Sequence, residues 1–440
     1  MKEEFLHYLW KYGLYYTDRL TDPDGNRIKV LNPGSYNRDA GPDFFNARIQ
    51  IGGTLWAGNV EIHTMASHFD LHGHQHDPAY NNVILHVVAG NDRKVFNKRG
   101  EEVLTAVIRF DPELYESYES LVNNPYIIAC QDDIKKTGKV LIKLWLNALA
   151  VERLQQKSGS ITEIFGDTGN DWEETFYRML CRYFGFRVNA EPFGMLANTL
   201  PFKIIRRHSD NILQIEALLF GAAGMLDEGL FREALADEYY RDLIREFKIL
   251  SSKYSIQPLH GSIWKFSRLR PVNFPTIRIS QLAHMLSVAG GLFSRVIEAQ
   301  DAVQLKKILE VPASEYWNEH FVFGKKSRRV ARKTGSQATD ILIINAVVPV
   351  IFVYGRTRDR QDICDRALTL LEHIPAEDNI IITEWKSAGI TAGSAFYSQG
   401  LIQLRNEYCR KRRCLECRIG NKLISMGKRL KENEELMLEP

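Results

Sequence analysis

The residues with the most chemistry in them lie close together, in Asn37–Val88: NRDAGPDFFNARIQIGGTLWAGNVEIHTMASHFDLHGHQHDPAYNNVILHVV. Asp43 follows Gly41-Pro42, and Glu61 and His63 follow a short apolar segment. Two carboxylates brought together can hold a hard divalent cation such as Mg2+. Such an ion polarises a phosphoryl or carbonyl oxygen and acidifies the attacking water. His63 can take a proton near neutral pH, and its nitrogen also suits softer ions, so Mn2+ is the alternative to Mg2+. Six of the twelve histidines fall between His63 and His86. His72, His74 and His76 alternate, so an extended segment would put all three on one face as a transition-metal site. Tyr80, with Asp77 before it, is expected on a short helix where it can position a phosphate. His86 sits in the apolar run Val83–Ala89, either as a hydrogen-bonded core residue or as a partner standing behind the site. An acid on the opening helix would complete the set, and Glu4 is the choice, with His7 one turn on.

Strands must position these groups. Phe44–Ile51 and Thr54–His63 read as the arms of a hairpin around Gly52-Gly53. Its register is a condition on the site. A strict two-residue loop pairs Phe44 with Glu61 and turns Asp43 to the opposite face. A three-residue loop, or a bulge at Gly58, shifts the pairing by one and gathers Asp43, Glu61 and His63. Val83–Ala89 reads as a buried strand and Val103–Phe110 as another.

A second constellation closes the chain. YCRKRRCLECRIG holds Cys409, Cys414 and Cys417, three thiols where tetrahedral Zn2+ or an iron–sulfur cluster needs four protein ligands. Cys130, in YIIAC, is the preferred fourth; Cys181 and Cys364 read as core cysteines on helices. Six cysteines in a chain of 440 residues make no disulfide framework.

From about Leu141 the pattern becomes helical, with segments such as Trp172–Phe184, Asn211–Leu226, Glu238–Lys253 and Ala338–Tyr354. The expected layout is an α/β domain over 1–125 followed by a large all-α domain over 126–440, with a frayed tail at Leu430–Pro440. Residues 1–120 carry 12 Lys/Arg against 17 Asp/Glu, whereas the whole chain is at +3. An acidic, histidine-rich head thus precedes a basic body, whose densest basic runs are Lys325–Lys333 and Arg410–Arg413. Such runs can contact phosphates. The N-terminus, MKEEFLHYLW, lacks a secretory pattern. The apolar run Ile341–Val353 is shorter than the roughly 20 residues of a spanning helix. These features lead to the expectation of a cytoplasmic protein with no membrane partner.

Gly41-Pro42-Asp43, the hairpin and Glu61-Ile62-His63 together resemble the PD-(D/E)XK nuclease superfamily. The resemblance implies a restriction-endonuclease-like mixed sheet, with Asp43 and Glu61 as metal-binding carboxylates. It adds the Ile62 carbonyl as a further ligand and places His63 where the superfamily has lysine. Some nucleases of that superfamily hold an iron–sulfur cluster with three C-terminal cysteines and one distant one. Over nearly its full length the chain also resembles a bacterial family of unknown function, through GPDF, GNVEIH, HGHQHDPAYNNVILHVV, QIEALLFGAAG, RLRPVNFP and YCRKRRCLECRIG. The leading expectation is a metal-dependent nuclease acting on nucleic acid. The alternatives are a non-catalytic nucleic-acid-binding or scaffold protein with a degenerate nuclease domain, and a hydrolase or oxygenase built on a histidine-bound metal.

Overall fold

The computed structural model describes residues 1–227, 229–287 and 291–435. It forms two compact units, Met1–Trp145 with Leu404–Pro440, and Leu146–Gln403. This division differs from the one expected at 125/126. Ile424, on the C-terminal helix Arg418–Glu435, is fully buried among Phe5, Leu9, Val60 and Tyr118 of the first unit. The same helix runs through most of the tail expected to fray; residues 436–440 lie outside the described residues.

The first unit is a mixed sheet with helices. It opens with helix α1 (Glu3–Tyr12), ended by Gly13 in the left-handed region. Six strands follow: β1 (Ile28–Asn32), β2 (Ser35–Tyr36), β3 (Phe44–Ile51), β4 (Thr54–Met65), β5 (Val83–Gly90) and β6 (Thr105–Val107). Their order is β1-β3-β4-β5-β6, with β2 also on β3. The β3–β4 hairpin turns at Gly52-Gly53, both at positive φ, as a two-residue hairpin loop requires. β4 and β5 run parallel, as do β5 and β6. A parallel pair needs a crossover, and here it carries α2 (His68–Leu71) and two 3-10 turns, His74–His76 and Pro78–Asn82. Alternation along the strands divides the sheet into two faces. Val60, Ile62, Leu85 and Val87 pack with Phe5, Leu6 and Leu9 of α1 and with Leu114 and Tyr118 of α3 (Pro112–Val122). Glu61, His63, His86 and Thr105 occupy the face under the crossover.

The second unit is mostly helical, its core formed by residues such as Phe176, Leu219, Ile279 and Val350. Helix Trp172–Phe184 has the expected bounds and is capped by Asp171. Helices Ile212–Ala222 and Glu238–Tyr254 start at the caps Asn211 and Asp237. The expectation of an all-α body is corrected by a small hairpin, His320–Val322 with Lys325–Lys326. Ser336–Thr357 forms 22 residues of helix that by length and composition could cross a membrane, but 72 % of its apolar window is buried. In this fold it is a core helix. The basic run 325–333 is mostly exposed, with one structural member. Arg332 is buried over the Phe321 ring and donates to the Trp317 carbonyl, and Arg329 pairs with Glu315 and Glu319.

Candidate functional site

The register condition is met, by a device the sequence did not suggest. The hairpin keeps its strict two-residue loop, with Ile51 opposite Thr54 and Ala47 opposite Gly58, but then Phe44 faces Val60. The extra residue is on β3, where Asn46 sits at φ 58°; the expected places were a longer loop or Gly58. Asparagine tolerates that left-handed conformation better than other side chains. Continuing the shifted register sets Asp43 against Glu61. The Asp43 amide donates to Glu61 Oε2 at 3.1 Å, and the Ile62 amide donates to Asp43 Oδ2 at 2.9 Å. Gly58 serves another purpose: a Cβ there would stand 2.4 Å from Ile84 Cγ2 and 2.8 Å from the Asn82 carbonyl. It admits the end of the crossover against β4.

The crossover delivers the histidines. His63, His72 and His74 place one ring nitrogen each within 4.8 Å of the others. His63 Nε2 lies 3.1 Å from His72 Nδ1 and 3.5 Å from Glu61 Oε1, and His74 Nε2 is 3.2 Å from Glu61 Oε1. Ligands bonded at about 2.1 Å to one ion stand roughly 3.0–3.5 Å apart, so the three imidazoles approach the spacing of a coordination shell, with Glu61 beside two of them. The extended HxHxH expectation is corrected, because His72 ends a helix and His74–His76 is a 3-10 turn. His76 is exposed and outside the group, and His63 takes its place. Tyr80 stacks on His74 with ring centroids 3.8 Å apart.

A chain of hydrogen bonds fixes the form of His63. The Thr105 hydroxyl donates to the Val103 carbonyl at 3.1 Å, so toward His86 Nδ1, at 3.5 Å, it can only accept. His86 Nε2 is then the acceptor for His63 Nδ1, at 2.9 Å. This assignment leaves the His63 Nε2 lone pair facing His72 and Glu61. A hydrogen bond on the far ring nitrogen is how metal-binding histidines are held. Burial, reinforced by the neighbouring histidines, drives His63 down to about 2, and burial with His74 drives His86 down to about 3. Both rings are neutral, the form that ligates. Burial and then the Asp43 charge raise Glu61 well above the usual carboxylate range. Burial also raises Glu3.

The opening helix contributes through residues other than the expected Glu4. Glu4 is bonded to the Tyr118 hydroxyl and lies 3.6 Å from Lys2. Glu3 faces the site, its Oε1 3.8 Å from His63 Nε2 and buried without a hydrogen bond. His7 Nε2 is 3.2 Å from Asp43 Oδ2. Burial would depress His7, but its contact with Asp43, helped by Glu3 and Glu61, raises it on balance. Sequence reasoning missed Glu3 and Thr105. Glu3 had the signal of adjacency to Glu4, whereas Thr105 had none.

His7 also borders a groove of about 250 Å³ lined by Lys2, Lys11, Arg38, Lys411, Arg412 and Arg413, with Glu4 and Glu416 its only acids and Tyr8, Tyr12 and Tyr36 its aromatic walls. The Arg410–Arg413 run is therefore placed beside the acidic site, within one unit. Cys130, Cys409, Cys414 and Cys417 also come together in this unit, around one small cavity. Burial and mutual charge push Cys130 up to about 12 and Cys414 up to about 11. Cys181 and Cys364 are buried in the helical unit.

No curated protein and no solved structure matches the chain. A family model described as "Protein of unknown function (DUF2851)" matches residues 3–380, and the chain belongs to that family.

Proposed function

We propose that the chain is a metal-dependent phosphodiesterase acting on nucleic acid, its sheet a variant of the PD-(D/E)XK arrangement. The observation that carries this reading is the group His63, His72 and His74, with Glu61 against two of its rings and Asp43 bonded to Glu61, bordered by the basic groove. Three imidazoles beside a carboxylate favour Mn2+ or Zn2+ over Mg2+. Glu61, His63, His72 and His74 would hold the ion, and Asp43 lies where it can hold a second or bind through water. Bound there, the ion supplies a Lewis acid for the phosphoryl oxygen and acidifies water.

The other residues do the rest. The lysine-lined groove holds backbone phosphates on either side of the scissile one. Tyr12 and Tyr36, both exposed, offer ring faces for unpaired bases. His7, whose hold on its proton is strengthened by the contact with Asp43, is placed to protonate a leaving oxygen at the mouth of the groove. Glu3, whose Oε1 is buried and unbonded, is placed to accept a proton from water.

The test is cleavage of labelled single- and double-stranded DNA and RNA in Mg2+, Mn2+ and Zn2+. Wild-type protein, Asp43→Ala/Glu61→Ala and His72→Ala are compared. The reading expects cleavage in Mn2+ or Zn2+ that both variants lose. Binding to nucleic acid with no cleavage in any metal would replace it with the degenerate, non-catalytic module. Cleavage confined to Mg2+ and indifferent to His72 would move the ion to Asp43 and Glu61 alone.

A further inference from the structure

The helical unit buries one cation whose bonding is incomplete. Arg278 lies one turn into helix Pro275–Leu286 and is 6 % exposed. Its guanidinium stacks on the Phe186 ring, 4.5 Å from the centroid. One terminal nitrogen donates to Gln281 Oε1 at 2.9 Å and the other to Asn273 Oδ1 at 2.6 Å. Both acceptors are neutral amides. A guanidinium has five N–H groups, and the Nε–H of Arg278 is buried with no partner. Among the described residues no acid pairs with it: burial alone acts on its proton, lowering it to about 10. The group therefore stays charged at neutral pH, and an unopposed buried charge is costly. Arg332, also buried over a ring, differs in giving its Nε–H to the Trp317 carbonyl.

Arg278 lines a cleft of about 250 Å³, walled mainly by Phe184, Phe186, Val188, Phe193, Leu269 and Ile341. It is the only charged residue on that lining. The segment RLRPVNFP, to which the metal site gives no role, contributes Leu269, Asn273 and Pro275. Phe186 sits at φ 49°, a strained conformation for a bulky side chain, and such strain persists where its surroundings enforce it. Gly185 permits the tight turn: a Cβ there would stand 2.2 Å from the Asn189 carbonyl oxygen. Asn189 in turn exchanges two hydrogen bonds of 2.9 Å with the Lys265 backbone. The ring under Arg278 is thus fixed before any ligand arrives.

One cation on an otherwise uncharged lining selects a ligand with one negative charge and an apolar body. A carboxylate is planar and accepts two parallel N–H bonds from a guanidinium. A phosphate monoester would bring a second charge, for which the cleft has no partner. The three phenylalanines suit a flat ring packed against them. The volume falls below the roughly 300 Å³ at which pockets for drug-sized molecules begin, so the body is small.

We propose that this cleft binds a small aryl carboxylate, its carboxylate on Arg278 and its ring among Phe184, Phe186 and Phe193. The site belongs to the helical unit and stands whether or not the sheet-bearing unit cuts nucleic acid.

The test is calorimetric titration of the full-length protein with benzoate and phenylacetate. Benzamide, with the shape but no charge, and phenyl phosphate, with a second charge, run beside them. The carboxylates should bind about 10-fold tighter than either control, as a charge-assisted pair implies. Arg278→Lys keeps the charge but not the fork and should weaken them by about 10-fold. Because replacing a buried arginine can disturb the fold, Ile341→Trp is the second variant. It fills the cleft from the rim, leaves the bonds of Arg278 intact, and should abolish binding in a protein whose urea melt shows it folded. Unchanged affinity in either variant, equal affinity for benzoate and benzamide, or no saturable binding of either carboxylate overturns the site. Tighter binding of phenyl phosphate overturns the carboxylate as its ligand.

Discussion

Both units bury acids and bases, but they satisfy them in opposite ways. In the helical unit Glu216 is 1 % exposed and saturated: Oε1 accepts from Ser280 at 2.5 Å and Ser314 at 2.6 Å, and Oε2 from Tyr239 at 2.8 Å. Lys157 is likewise bonded to Asn345 at 2.9 Å and Gln399 at 3.1 Å. In the sheet-bearing unit the same kinds of groups crowd one another. Glu61 faces Asp43 and ring nitrogens, the His63 lone pair faces His72, and Glu3 Oε1 has no hydrogen bond at all. A buried charge with fixed neutral donors is architecture. Carboxylates and lone pairs converging without a cation are arranged for something other than stability.

The sharpest test of that contrast is a pair of substitutions expected to act with opposite signs. Glu61→Ala should reduce Mn2+-dependent cleavage by at least about 100-fold, since even groups behind a metal ligand are worth about 10–100-fold. With no metal present, and at a pH high enough to ionise Glu61, it should also stabilise the protein, by about 1 kcal/mol, by relieving repulsion with Asp43. Glu216→Ala should instead cost about 3–5 kcal/mol, because three donors lose their acceptor and a void remains. Urea melts of the two variants without metal decide it. If both destabilise, the histidine site is ordinary structure and the contrast fails.

How much of this was legible in the sequence follows from the range of the interactions. The hairpin was readable because Gly52-Gly53 and the flanking alternation are local. Helix Trp172–Phe184 was readable because Asp171 caps it and the apolar spacing is regular. The identities of Asp43, Glu61 and His63 stood out by residue type. The third member of the histidine group was not legible because His72, His74 and His76 share a face only in an extended segment, whereas the crossover between parallel strands turns there. Thr105 was invisible, since only register ties it to His86. The return of the C-terminal helix to the first core through Ile424 was not legible, since no local pattern announces that contact.

A smaller effect separates the units by pH. Burial, and then the Arg153 charge, lowers Lys157 to about 7 against the opposing pull of Glu377. The unfolded chain holds that proton up to the ordinary lysine value, so between these limits the unfolded state binds more protons and stability rises with pH. Below about 7 the cost of charging the buried amine is carried in full. Stability should therefore increase by about 2–3 kcal/mol between about pH 7 and pH 9. Lys157→Met should flatten that rise. A wild-type profile that is level or falling over this window would show that the amine stays charged in its bonds to Asn345 and Gln399, making the helical unit's network ionic.

The smallest expected change in stability tests the geometry on which the whole site depends. Asn46 holds the left-handed residue of the β3 bulge, and that bulge alone turns Asp43 toward Glu61. Asn46→Gly keeps the conformation open and should leave both stability and metal affinity nearly unchanged. Asn46→Val makes the same conformation strained, at a cost of about 1–2 kcal/mol. The chain can escape the strain by returning the hairpin to its strict register, which swings Asp43 to the other face. The valine variant should then lose far more Mn2+ affinity than its small loss of stability would suggest, and the glycine variant should not. Titration calorimetry beside a urea melt separates the two effects. Equal Mn2+ affinity in both variants would mean that the ion depends on Glu61 and the histidines alone, with Asp43 a bystander.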